Sequence, residues 1–308
     1  MSMSIRLLVL AAGLCAAGPA AAAEAVAVAW WVWPIALFAV TLALGVVAVL
    51  GGVGGGVLFV PIVGGFFPFH IDFVRGAGLL LALSGALSAA PSLLRSGFAS
   101  LRLAMPLALI GSVTSIVGAL VGLALPTAIL EIALGLTILA IAVLMAMGPK
   151  ADRPQAGAQD AISAALGMHG AYHDPAIGQD VAWSARRTPA ALVAFAGIGM
   201  IAGMFGLGAG WANVPVLNLL MGAPLKLSVG TSGLVLSIVD TSAAWVYIHR
   251  GAVLPMLVAP SIIGVMLGAR IGVRLLRVVH AAHVRRIVLA LLLIAGARAL
   301  AKGLGIWS

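Results

Sequence analysis

Apolar positions in this chain come in long runs with no helical or strand-like alternation, and polar positions gather between them. A helix needs about 20 apolar residues to cross a bilayer, and the runs reach that length. The first element covers Trp30 to Leu50, breaks at Gly51 to Gly56 and resumes over Val57 to Phe67. Trp30, Trp31 and Trp33 supply an interfacial anchor at its outer end. Phe73 to Leu94, Leu103 to Leu125 and Ala128 to Met147 follow, with Pro126 marking the turn between the last two. After a polar stretch the pattern resumes over Pro189 to Leu220, Leu225 to Tyr247, Val253 to Leu276 and Val284 to Leu304. The prediction is an all-α polytopic transmembrane helix bundle of about eight spans.

The second set of elements copies the first at a constant offset of 154 residues. The offset pairs Gly45 with Gly199, Gly52 with Gly206, Pro61 with Pro215, Gly76 with Gly230, Pro106 with Pro260 and Gly118 with Gly272. Two repeats of four elements are expected, over 30–148 and 188–305, joined by a polar central loop over 149–187. Each repeat carries a glycine-rich break in its first element, Gly52, Gly54 and Gly56 in one and Gly206, Gly208 and Gly210 in the other. Such interruptions at corresponding places of two halves point to a transporter's binding site.

Composition narrows the class. Apolar residues make up 63% of the chain and charged residues only 8%, against about 25% charged in soluble domains. Segments of alternating polarity are absent, which argues against an outer-membrane barrel. The formal charge of +9 sits at helix ends, where it sets topology and meets anionic lipid; nucleic acid is not an expected partner. Residues 1–23 read as a secretory signal or a retained first helix: Arg6, then an apolar stretch, then Ala20 to Ala23. Cys15, the only cysteine, falls there, so the mature chain is expected to hold no disulfide or Cys-ligated metal.

The central loop holds Asp152, Asp160, Asp174 and Asp180, half of the chain's 8 acids. His169, His173 and Asp174 lie close together in it, and a solvated loop explains them better than a metal site does. Arg95, Arg102, Lys150, Arg153, Arg186 and Arg187 flank connections of the first half and the loop. Arg274, Arg277, Arg285 and Arg286 crowd the third-to-fourth connection of the second half, whereas its counterpart, Leu125 to Thr127, is uncharged. The halves therefore have opposite charge bias. This favours an inverted pair with the loop cytoplasmic, provided each broken element enters and leaves on one side or counts as two crossings. If each is one simple span, the halves are parallel.

At the breaks, freed backbone N–H groups must find partners that lipid does not offer. An anion is the economical one, held at the N-terminus of the resumed half-helix. The competing reading is close helix packing through small residues. Gly52-x-Gly54 with Asp72 downstream imitates a dinucleotide fingerprint, but the second copy has Lys226 where Asp72 stands and no soluble strand precedes either run. Asn213, Asn218, Thr231 and Ser232 lie near the second break and offer side-chain hydrogen bonds, as does Ser228. Arg75 and Lys226 supply positive charge near an anion or snorkel to headgroups. Asp240 is the deepest acid and carries a coupling proton or is satisfied by Thr241 or Arg250. No His-Glu-x-x-His, Gly-x-Ser-x-Gly or P-loop pattern occurs, so no enzymatic activity and no cofactor are expected.

The paired glycine breaks with trailing proline, the run APLKLSVGTSGLVLSIVDTSAAWVYIHRGAV (Ala223 to Val253) and IGVMLGARIGVRLL (Ile263 to Leu276) resemble the sulfite exporter TauE/SafE family. The central HGAYHDPAIGQDVAW (His169 to Trp183) is similar to the loop of one bacterial subgroup. The first half departs from the pattern: Arg75-Gly76-Ala77-Gly78 stands where Thr231-Ser232 is matched in the second. The resemblance implies a bacterial inner-membrane secondary carrier of small anions such as sulfite, sulfonates or sulfoacetate. A passive anion channel and a non-transporting scaffold are the alternatives.

Overall fold

The computed structural model describes residues 31–51, 55–95, 97–147, 159–174, 178–208, 210–275 and 281–306. Eleven helices and one hairpin lie within them. They are α1 (Val32–Gly51), α2 (Gly55–Phe66), α3 (Ile71–Arg95), α4 (Leu101–Ala124), α5 (Thr127–Met147) and the short α6 (Ala161–Ala165). Strands β1 (His169–Asp174) and β2 (Gln179–Ser184) follow, then α7 (Thr188–Phe205) and α8 (Gly210–Pro215), which continues as a π-helical turn over Val216–Leu220. The chain ends with α9 (Leu225–His249), α10 (Pro255–Leu275) and α11 (Ala281–Gly303). Five of these helices are long and apolar enough to cross a membrane: α4, α5, α7, α9 and α10. Val32–Ala48 and Gly55–Phe66 are shorter apolar helices. The bundle wears apolar side chains outward, among them Val113, Val193 and Trp245, each more than 60% exposed, as a lipid-facing surface does.

Neither broken element is a single rod. The outer ends of α1 and α2 meet, where Trp33 packs edge-on against Phe67 and Phe69 at 6.0 and 5.9 Å. The outer ends of α7 and α8 also meet, where the Arg186 N–H donates to the Met221 carbonyl at 3.0 Å. Each break is thus the tip of a helical hairpin that returns to the end of the bundle it came from.

Small residues set how the helices pack. α1 runs alongside α10 with Gly264 against Thr41 and Gly268 against Leu42 and Gly45. α4 runs alongside α7 with Gly199 against Gly111 and Gly203 against Ser115. In both pairs numbering rises together, so the helices are parallel. A methyl group at Gly203 would overlap the Ser115 carbonyl, and one at Gly268 the Leu42 carbonyl. Small-residue spacing of this kind lets backbones close up where lipid supplies no hydrophobic drive. α5 and α11 pack antiparallel through Gly135, Gly296 and Gly303, with Lys302 reaching Glu131 at 3.0 Å. The core divides into one cluster around α1, α2, α5, α10 and α11 and another around α4, α7, α8 and α9.

The central segment is folded, which its composition does not foretell. Asp160 caps α6 by accepting from the Ser163 N–H at 2.7 Å and also accepts from the Thr188 N–H at 2.7 Å. The antiparallel pair β1–β2 sets His169 opposite Ser184 and His173 opposite Asp180. It buries Tyr172 and Trp183 in the second cluster, with Tyr172 edge-on to Phe98 of the α3–α4 loop at 5.8 Å. That loop is tied to α9, because the Ser100 N–H donates to Thr231 Oγ1 at 3.2 Å. The α3–α4 loop, the central segment and the start of α9 therefore share one end of the bundle. The α2–α3, α4–α5 and α9–α10 turns share the other, where Arg75 reaches Gly122 and Gly76 packs on the Ala252 carbonyl.

Candidate functional site

Helix α7 stops because Gly206 takes a left-handed φ of 68° while its N–H still donates to the Ala202 carbonyl at 2.9 Å. Gly208 follows at φ 70°, a conformation that costs other residues energy. The helix end leaves carbonyls that must be satisfied inside the protein. Tyr247 of α9 donates its hydroxyl to the Gly203 and Met204 carbonyls at 3.0 and 3.2 Å. Arg75 of α3 donates Nη1 to the Met204 carbonyl at 2.7 Å and Nη2 to the Gly122 carbonyl of α4 at 3.3 Å. Asp72 pairs with the same Nη2, and the guanidinium sits 5.6 Å from the Tyr247 ring. Arg75 is fully buried, so it does not snorkel. It places positive charge at the C-terminal ends of two helices, where the dipoles favour it.

The two breaks meet. A Cβ at Gly56, in the first turn of α2, would stand 2.7 Å from the Leu207 carbonyl oxygen and 3.1 Å from that of Gly78. Gly78 in turn faces the Gly206 carbonyl, and Gly206 lies on the backbone of Arg75. Gly52 and Gly54 fall outside the described residues. The Arg75-Gly76-Ala77-Gly78 run, which departs from the second half's Thr-Ser pair, thus forms the seat of the opposite hairpin: its glycines let two backbones touch.

Three side chains at the second break carry buried polar atoms without a hydrogen-bond partner among the described residues. They are both oxygens of Asp240, both amide atoms of Asn213 and the Trp211 indole N–H. Asp240 and Asn213 are fully buried. Asp240 Oδ2 would stand 3.3 Å from a Cβ at Gly208, and Leu236 faces both Gly208 and Gly210. Neither suggested partner satisfies the carboxylate. Thr241 donates to the Ser237 carbonyl at 2.6 Å, and Arg250 is exposed beyond the end of α9.

The other candidate residues lie elsewhere. Asn218 Nδ2 and Ser228 Oγ both donate to the Ala223 carbonyl, at 2.9 and 3.1 Å, and hold the α8–α9 turn. Thr231 holds the α3–α4 loop, Ser232 is buried on α9, and Lys226 is exposed near its start. Tyr247 and Asp72 escaped the reading of the sequence as site residues. Tyr247 carried a signal, since a buried tyrosine hydroxyl in an apolar run must find a partner.

The sulfite exporter TauE/SafE profile matches residues 37–299, from the first turns of α1 to the last of α11 and through both breaks. This chain belongs to that family. No curated protein and no solved structure matches it. As a TauE/SafE protein it is a multi-pass membrane protein of a transporter family for sulfur-containing anions. In this member, Asn213 and Asp240 at the second break are buried with polar atoms unpartnered among the described residues.

Proposed function

We propose that this TauE/SafE protein is a bacterial inner-membrane secondary carrier of small sulfur-containing anions, and that the anion binds where the two hairpin tips meet. The observation that carries this reading is Asn213, fully buried at the second break with neither amide atom partnered among the described residues. A buried polar group left unmatched costs about 1–3 kcal/mol, which a ligand reclaims. The first turn of α2 adds N–H groups with no partner within the helix and the positive end of a dipole. Gly56 and Gly208 let the hairpin tips pack there with no side chain of their own between the backbones.

The same reading makes the two halves an inverted repeat. Each hairpin returns to its own end of the bundle, and three further helices follow it, so the second half starts from the opposite face. The packing has the matching two-fold form: α1 pairs with α10, and α7 pairs with α4. Lysine and arginine around the α3–α4 loop, the central segment and the α10–α11 connection support a cytoplasmic position for that end. Alternating access then amounts to one hairpin rocking against the other around the bound anion.

The test is uptake of labelled sulfite, sulfoacetate and a dicarboxylate into proteoliposomes. The expected result is concentrative flux of a sulfur anion, abolished by Gly208→Leu and retained by Gly197→Leu, whose side chain enters open space. Equilibration without accumulation marks a passive channel, and equal flux in wild type and Gly208→Leu rejects the site.

A further inference from the structure

The proposed anion site has a neighbour that ought to oppose it. Asp240, the sixteenth residue of α9, is fully buried against the Gly208 bend with no donor on either oxygen among the described residues. The Ala82 and Leu236 side chains face the same Gly208 bend. An ionised carboxylate there is uncompensated twice over: nothing solvates it, and a bound anion repels it.

No fixed charge on the packed elements offsets this. α9 packs on α3, α4, α7, α8 and the π-helical turn. α7, α8 and the π turn carry no titratable group. On α3, Asp72 and Arg75 pair with each other, and Arg75 also donates to the Met204 and Gly122 carbonyls; Arg95 lies at the cytoplasmic end. On α4 the only titratable residue is Arg102, in its first turn. On α9 itself, Lys226 and His249 lie at the two ends, and Tyr247 donates to the α7 carbonyls. Hard cations gather many oxygen ligands, and the Ala82 and Leu236 side chains that share the Gly208 bend with Asp240 supply none.

We propose that Asp240 is the proton site of this carrier: the anion binds only when Asp240 holds a proton, so proton and anion cross together. The inference rests on the anion site proposed above. The proton comes from water on one side and returns to water on the other, when the hairpin exposes the Gly208 bend to each in turn. Ala86 stands at the position in the first half that corresponds to Asp240, so one proton per protein is moved through this site.

Two measurements decide the matter. The first needs no substrate. Infrared spectra of the reconstituted protein at neutral pH should show the C=O stretch of a protonated carboxylic acid, lost in Asp240→Asn. A spectrum unchanged by that substitution overturns the proposal.

The second uses sulfoacetate, whose charge stays constant near neutrality. Wild type should accumulate it under an inward acid gradient, and Asp240→Glu should keep part of this. Asp240→Asn should lose at least tenfold in gradient-driven uptake while retaining sulfoacetate–sulfoacetate exchange. Uphill uptake driven by sodium alone, or retained in Asp240→Asn, overturns the proposal. Wild-type vesicles that exchange none of the sulfur anions reject the proposed substrate class instead, and the infrared band then decides Asp240 by itself.

Discussion

Gly97 and Gly206 share a backbone conformation, with φ of 75° and 68°, and differ in what surrounds them. A Cβ at Gly97 meets nothing within 4 Å, whereas one at Gly206 overlaps the Arg75 backbone. Left-handed geometry alone costs a non-glycine residue about 1–2 kcal/mol. Gly97→Ala is therefore expected to lower stability by about that amount. Gly206→Ala should cost clearly more, because strain and overlap add and the hairpin tip must move off α3. Thermal unfolding of the purified protein in detergent measures both, and equal shifts would contradict the packing at the second break. A glycine's need for left-handed φ was legible in the break pattern. What each glycine touches was not, because Arg75 and Gly206 are far apart in the chain and meet only through folding.

The hairpins and the central segment are the elements on which composition and structure part company. The run 149–187 with its charges reads as a linker, yet Asp160 organises its described part by accepting from two backbone N–H groups, Ser163 and Thr188, at 2.7 Å each. Partial desolvation works against ionisation of this carboxyl, and the hydrogen bonds from Thr188 and Ser163 outweigh it, holding it below the ordinary aspartate value of 3.8. A lowered carboxyl stabilises the fold above its unfolded-state value and loses that contribution as pH falls through the folded one. The α6 cap and the start of α7 should therefore loosen only in that acid range. Hydrogen exchange at the Ser163 and Thr188 amides checks this: protection is expected to stay level near neutrality, fall below pH 3.8, and be weakened at all pH values in Asp160→Ala. Loss of such a cap costs about 1 kcal/mol. Exchange that ignores both acid and substitution would remove Asp160 from this role.

At the scale of the whole molecule, the proposed inverted topology puts named residues on opposite sides of the membrane. His70 and Arg250 are exposed at the end with the α2–α3 and α9–α10 turns, and Gln179 and Lys226 are exposed at the other. In a chain whose Cys15 is replaced by serine, single cysteines at 70 and 250 should react with an impermeant maleimide added outside intact cells. Those at 179 and 226 should react only after the membrane is opened. Labelling of all four from one side would make the hairpins simple crossings and the halves parallel. The charge bias alone left that choice open, since it depends on whether each broken element turns back, and the Trp33–Phe67 and Arg186–Met221 contacts are what close the two hairpins.

Length and uniform apolarity of the runs determined from the sequence alone that this is a helical membrane protein, because a bilayer permits little else. The constant offset located both breaks, since glycine and proline act on the backbone locally and need no neighbour to be read. Tertiary structure decided the rest. It made Arg75 a cap for two helix ends, turned Thr231 and Asn218 to backbone duty away from the breaks, and left Asn213 and Asp240 buried without partners among the described residues. Whether a polar side chain is satisfied depends on groups brought up from other helices, and that information exists only once the helices have packed.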